Sequence, residues 1–166
     1  PVQPGDTIEV SGTTGTVREI GMRATPISTF DGADVVVPNG MLLSEKMINW
    51  TLSSDSRRID IAIGIAYGSD PEKVLALLLE VAKGTEGVSQ QPAPTALFSG
   101  FGDSALNFSI RAWTTSYNDS VVIRSNMAVR LYKALNDAGI EIPYPKRELH
   151  IRSLPDHVLK PLTGDL

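Results

Sequence analysis

From Arg58 to Tyr67 every second residue is large and apolar: Ile59, Ile61, Ile63, Ile65 and Tyr67 alternate with Asp60, Ala62, Gly64 and Ala66. A period of two sustained this long fits a β-strand buried on one face. A helix would scatter the same side chains around its circumference. The small residues between the isoleucines suit close packing on the second face. Ser69-Asp70-Pro71-Glu72 follows as a helix start: Asp70 to cap the first turn, Pro71 at the first helical position, Glu72 at the positive end of the dipole. Val74, Leu77, Leu78, Val81 and Ala82 then form a helical stripe that Gly84 or Gly87 ends.

The same rhythm repeats downstream. A proline-bearing loop over 90–95 leads to a short strand at 96–101, a turn at Gly102-Asp103-Ser104, and a long strand at 105–115. In that strand Leu106, Phe108, Ile110 and Ala112 oppose Asn107, Ser109, Arg111 and Trp113. A long helix is predicted to run to Ala138, with Val121, Ala128, Leu131, Leu135 and Ala138 apolar and Gly139 as its left-handed cap. A short strand is expected at 140–144. The order strand, helix, strand, strand, helix, strand is a ferredoxin-like α+β pattern, two split βαβ units with both helices on one face of an antiparallel sheet. It spans 57–145. Beyond it, 146–153 alternates again, with Leu149 and Ile151 against Glu148, His150 and Arg152. That strand has no place in the domain just outlined and is expected to pair with copies of itself. Residues 154–166, with Pro161 and Gly164, read as a frayed tail.

Residues 1–52 have a different texture, short strands divided by turn signals. Strands are expected at 7–10, 15–22, 24–29, 33–37 and 46–52, with Gly12 and Gly15 flanking a turn and a helical turn over 41–45. Pro26 suggests an edge or a bulge. Asp31-Gly32 predicts a type I′ hairpin, which needs positive φ at both central residues. Strands this short and close suggest a small β-barrel of the SH3 or Sm type. The polar run Ser53-Ser54-Asp55-Ser56 marks the boundary between the two parts.

Composition narrows function mainly by exclusion. Among 166 residues there is no cysteine, which removes disulfides, thiol catalysis and cysteine-based zinc sites. Net charge is −4, and residues 1–52 carry three Lys/Arg against six Asp/Glu. A nucleic-acid partner would call for a basic face, and the densest basic spots are the pairs Arg57-Arg58 and Lys146-Arg147. Asp31 and Asp34 flank a hairpin, where Asp is favoured for backbone reasons alone. Neither they nor His150 and His157 form a metal cluster. Gly12-Thr13-Thr14-Gly15 lacks the lysine of a phosphate loop, and Phe98-Ser99-Gly100-Phe101-Gly102 has the wrong spacing for a nucleophile elbow. No enzyme activity and no cofactor are expected. Trp50 and Trp113 read as core or interface anchors. The most apolar run, 74–82, is nine residues long and contains Glu80, well short of the roughly 20 needed to span a bilayer. The sequence opens on Pro1, and a segment of a longer chain is expected.

Several stretches together resemble one family. Pro4-Gly5-Asp6, Gly15-Thr16-Val17, Thr29-Phe30-Asp31-Gly32, Val35-Val36-Val37-Pro38-Asn39-Gly40 and Ile48-Asn49-Trp50 are similar to the Sm-like domain of the small-conductance mechanosensitive (MscS-like) ion channels. Arg57-Arg58, Ile65-Ala66-Tyr67-Gly68-Ser69-Asp70 and Ala138-Gly139-Ile140-Glu141-Ile142-Pro143-Tyr144-Pro145 continue the resemblance to about Ser153. It implies the C-terminal cytoplasmic region of a homoheptameric inner-membrane channel that releases ions and small osmolytes under tension. An Sm-like ring would lie beneath membrane helices preceding Pro1, above a ferredoxin-like vestibule with side portals. The strand at 146–153, with Leu149 and Ile151, would join a parallel intersubunit barrel. Asp55, Arg57 and Arg58, at the junction, would line the portals. The alternatives are an Sm-like RNA-binding module and a soluble ligand-binding domain.

Overall fold

The computed structural model describes residues 2–153. Up to Asn49 the chain forms β1 (Thr7–Val10), β2 (Thr13–Val17), β3 (Ala24–Thr29), β4 (Asp34–Pro38), the short helix α1 (Asn39–Ser44) and β5 (Ile48–Asn49). These strands make one antiparallel sheet in the order β4-β3-β2-β1-β5. Its core is Ile8, Val10, Val17, Ile27 and Val37, with Met41, Leu42 and Met47 packed over them. Asn39 secures the passage from β4 into α1. Its backbone N–H donates to the Arg23 carbonyl, its amide to the Gly21 carbonyl, and its side-chain oxygen accepts from the buried Thr25 hydroxyl.

Three details differ from expectation. The type I′ hairpin lies at Ser11-Gly12, with φ of 49° and 77°, between Val10 and its partner Thr13. Asp31-Gly32 sits in a longer turn closed by Thr29 N–H donating to the Ala33 carbonyl, with positive φ at Gly32 but not at Asp31. Pro26 is in an interior strand, opposite Val36, not at an edge or bulge. It is tolerated because it stands where the β2–β3 ladder ends. The Arg18 N–H donates to its carbonyl, and the return bond that proline cannot make is the one omitted. β2 is accordingly displaced from the predicted 15–22, and β5 is shorter than the predicted 46–52.

The second sheet contains β6 (Arg58–Ile65), β7 (Thr95–Phe101) and β8 (Leu106–Trp113), with α2 (Pro71–Lys83) and α3 (Ser120–Asp137). β8 lies between β6 and β7 and is antiparallel to both, so β6 and β7 are parallel. α2 lies against β7 and β8, and α3 against β6. Ile59, Ile61 and Ile65 face the helices with Leu106, Phe108, Ile110 and Ala112, as alternation predicts. Burying side chains of this size contributes roughly 1.5–3 kcal/mol each. α2 supplies Val74, Leu78, Val81 and Ala82, and α3 supplies Ile123, Met127, Leu131 and Leu135. Val121, predicted in the stripe, is 75% exposed. It lies two positions before Ile123, about 200° away around the helix.

Both helix ends follow the sequence signals. Asp70 Oδ1 accepts from the N–H groups of Glu72 and Lys73. At the end of α3, Gly139 (φ 68°) donates to the Asn136 carbonyl and Ile140 to that of Leu135, the paired bonds of a Schellman motif. The strand expected at 140–144 does not form. One bond, from Ala66 N–H to the Glu141 carbonyl, ties the segment to the chain just beyond β6, and Pro143 and Pro145 have no N–H to extend a ladder. Residues 146–153 likewise carry no regular secondary structure, and the predicted tail at 154–166 lies outside the described residues.

Candidate functional site

The two sheets meet where the polar connection enters β6. Arg57 stands just before the ladder: its N–H donates to Thr114 Oγ1, and the Thr114 N–H donates to its carbonyl. With the backbone held on both sides, the side chain turns toward the loop between β8 and α3. There the guanidinium carbon lies 4.9 Å from the ring centre of Tyr117 and 5.6 Å from that of Trp50. Nη1 also donates to the Tyr117 hydroxyl at 2.9 Å. Trp50 and Phe30 come from just beyond β5 and β3 of the first sheet, with ring centres 6.3 and 6.4 Å from that of Tyr117. The Tyr117 N–H donates to the Asp55 carboxylate at 3.4 Å. A cation–π contact this open contributes about 0.5–1 kcal/mol, and each aromatic pair a similar amount.

Arg58 serves a different group. Its Nε donates to Asp60 Oδ2 at 3.2 Å, while Arg111 Nε lies 3.4 Å from Asp60 Oδ1. Arg124 Nε donates to the Asp60 carbonyl at 3.3 Å. All three side chains in the two ion pairs are about half exposed, so each pair adds at most about 1 kcal/mol. Their importance is local charge: two arginines flank the Asp60 carboxylate and a third holds its backbone carbonyl, beside a groove of about 350 Å³ that reaches Ser120 at the start of α3.

The candidate residues thus separate. Asp55 and Arg57 converge on Tyr117, while Arg58 joins Asp60. Leu149 and Ile151 are elsewhere. Lys146 N–H donates to Ser104 Oγ in the β7–β8 turn, beside the Ile65–Leu106 end of the sheet; the junction adjoins its opposite, Arg58–Trp113 end. Beyond Lys146, Leu149 and Ile151 are 81% and 67% exposed, and no strand among the described residues pairs with their segment. A cleft of about 690 Å³ opens near this end, bordered by Tyr67, Lys73, Leu77, Glu80, Gly139 and Glu141.

Sequence reasoning missed Tyr117, Asp60, Arg111 and Arg124. The pair Asp60–Arg111 carried a usable signal, since antiparallel alignment of the two alternating strands sets them directly opposite. Tyr117 signalled itself only as the aromatic in a polar run, Thr115-Ser116-Tyr117-Asn118-Asp119.

This arrangement of two antiparallel sheets with helices on the second is found in a known class of channel proteins. Residues 1–52 match the family description "Mechanosensitive ion channel, beta-domain", and residues 59–142 match "Mechanosensitive ion channel MscS, C-terminal". The chain belongs to the MscS family of mechanosensitive ion channels. It is 33% identical over 153 residues to the mechanosensitive channel MscK of Escherichia coli, covering 92% of this chain and 14% of that protein. It is 31% identical over 151 residues to the small-conductance mechanosensitive channel of Edwardsiella ictaluri, covering 91% of this chain and 52% of that one. The crystal structure of Helicobacter pylori MscS in its closed state superposes with a TM-score of 0.82 at 32% identity, over 93% of this chain and 60% of that one. The chain therefore spans about half, or less, of the curated relatives it matches. Among the described residues no helix is long and apolar enough to cross a membrane.

Proposed function

We propose that this chain is the cytoplasmic vestibule portion of a mechanosensitive channel that releases ions and small osmolytes when membrane tension rises on hypo-osmotic shock. The observation that carries this reading is the presence of both MscS family segments, in order, across nearly the whole chain. In this reading 1–52 is an Sm-like domain that rings the base of the pore, and 57–145 is a ferredoxin-like domain that walls the vestibule. Membrane helices precede Pro1 and anchor the assembly in the inner membrane, with this region on the cytoplasmic side. Seven copies assemble, and 146–153 of each supplies one strand of a closing barrel through Leu149 and Ile151. That assignment is supported by the exposure of both side chains on a segment with no strand partner among the described residues.

Asp55, Arg57 and Arg58 lie at the portals in this reading. Arg58, with Asp60, Arg111 and Arg124 beside it, sets local charge where solutes enter, because charged rings at a constriction bias ion passage. The region catalyses no reaction. The test is expression of the full-length parent in bacteria deprived of their own mechanosensitive channels, followed by osmotic downshock. Survival above the empty-vector control is expected. Survival equal to that control, with the protein present in the membrane, overturns the reading.

A further inference from the structure

Tyr117 is only 4% exposed, although it belongs to a loop with polar residues on either side. Its own core does not bury it: Tyr117 is absent from the apolar cluster that joins α2 and α3 to the second sheet. Phe30 and Trp50, which follow β3 and β5, lie against its ring, yet they remain 64% and 39% exposed. The tyrosine is thus an inserted key, and the two partners form an open slot. The connection across the junction is small and polar, and Ser54 and Ser56 bond only to one another and to local backbone. Such a linker cannot fix an angle by itself, and units joined through a small interface move relative to one another by default.

We propose that Tyr117 is a clamp residue that sets the angle between the two sheets, with the Arg57 guanidinium resting against both its ring and that of Trp50 as the cationic centre. Three contacts converge on this one residue: the contact of its ring with Phe30 and Trp50, the bond from Arg57 to its hydroxyl, and the bond from its backbone N–H to Asp55. Asp55 lies in the connection and Arg57 immediately precedes β6, so the clamp also draws the connection taut. The consequence is mechanical. A displacement of the first sheet is passed to the second while the clamp holds, and is absorbed by the connection when it is broken. The clamp stands on these contacts alone and does not depend on the channel reading.

Pulsed electron-resonance distance measurement tests it. The chain has no cysteine, so Lys46→Cys and Asn126→Cys, both exposed and one on each unit, accept spin labels cleanly. Labelled chain is diluted with unlabelled chain so that distances within one chain dominate. The clamp predicts one narrow distribution in the parent chain and one about twofold broader in Tyr117→Ala, with helix and sheet content unchanged. Tyr117→Phe, which keeps the ring and loses only the hydroxyl contact, falls between them. Arg57→Gln removes the cation without touching the aromatic rings, and provides the reading if Tyr117→Ala fails to fold. Distributions as narrow and as centred in Tyr117→Ala or Arg57→Gln as in the parent overturn the proposal, as does a parent distribution already as broad as the variant.

Discussion

Gly15 shows how much one side chain position can decide. It sits within β2 opposite Thr29 of β3, and a Cβ there would meet the Ser28 carbonyl oxygen at 2.5 Å and Ile27 Cγ2 at 2.7 Å. Neither neighbour is free to move, because the oxygen belongs to backbone and Ile27 is fully buried. Gly15→Ala is expected to cost about 1–3 kcal/mol, as other overpacked sites do. Chemical denaturation measures it, and a midpoint equal to the parent's contradicts the close approach. Sequence reading placed Gly15 beside a turn because glycine is the commonest turn signal. The turn belongs to Ser11 and Gly12. A glycine in a strand signals close backbone approach instead, and only the strand register tells the two roles apart. Arg57 was legible as a junction residue, but its aromatic partners were not. The two rings beside it, Trp50 and Tyr117, and Phe30 stacked on Tyr117 are scattered along the sequence, and no local pattern connects them.

At the scale of elements the sequence was most informative, because each signal there is local. The alternation of β6 and β8, the Asp70-Pro71 start of α2 and the Schellman end of α3 stand where their residues predicted. The two helix starts differ in a way that can be measured. Asp70 accepts two backbone bonds, whereas Asp119, at the equivalent position before α3, accepts none through its side chain. Asp70→Ala should therefore lower stability by about 1 kcal/mol, and Asp119→Ala by clearly less. Equal losses in thermal unfolding contradict this account of the caps. The predicted strand at 140–144 failed for a related reason. Alternation reports which side chains face a core, but a strand also needs a neighbour to bond, and two prolines leave this segment a single bond beyond β6. Ile142 borders a small apolar groove between β6 and α3 without completing a ladder.

For the whole molecule the least legible feature was how the parts meet. Periodicity describes each sheet separately and says nothing about the contact between them, which rests on Tyr117 and on residues of the other sheet. The segment 146–153 poses the same problem one level up. Its alternation was readable, but no strand among the described residues pairs with it, and Leu149 and Ile151 face solvent. Deleting 146–166 from the full-length protein is expected to reduce or abolish its assembly, and light scattering of the purified protein reads the outcome. An unchanged mass rules out the closing role proposed for this segment. The central claim is that this chain walls the route taken by solutes through a tension-gated pore, with Arg58 at its entrance. Patch recording from membranes holding the full-length channel, as parent and as Arg58→Glu, under graded suction tests that claim most directly. The account predicts current that opens with tension in both and a reversal potential displaced toward cation preference in Arg58→Glu. No tension-gated current, or identical reversal potentials in the two channels, would contradict it.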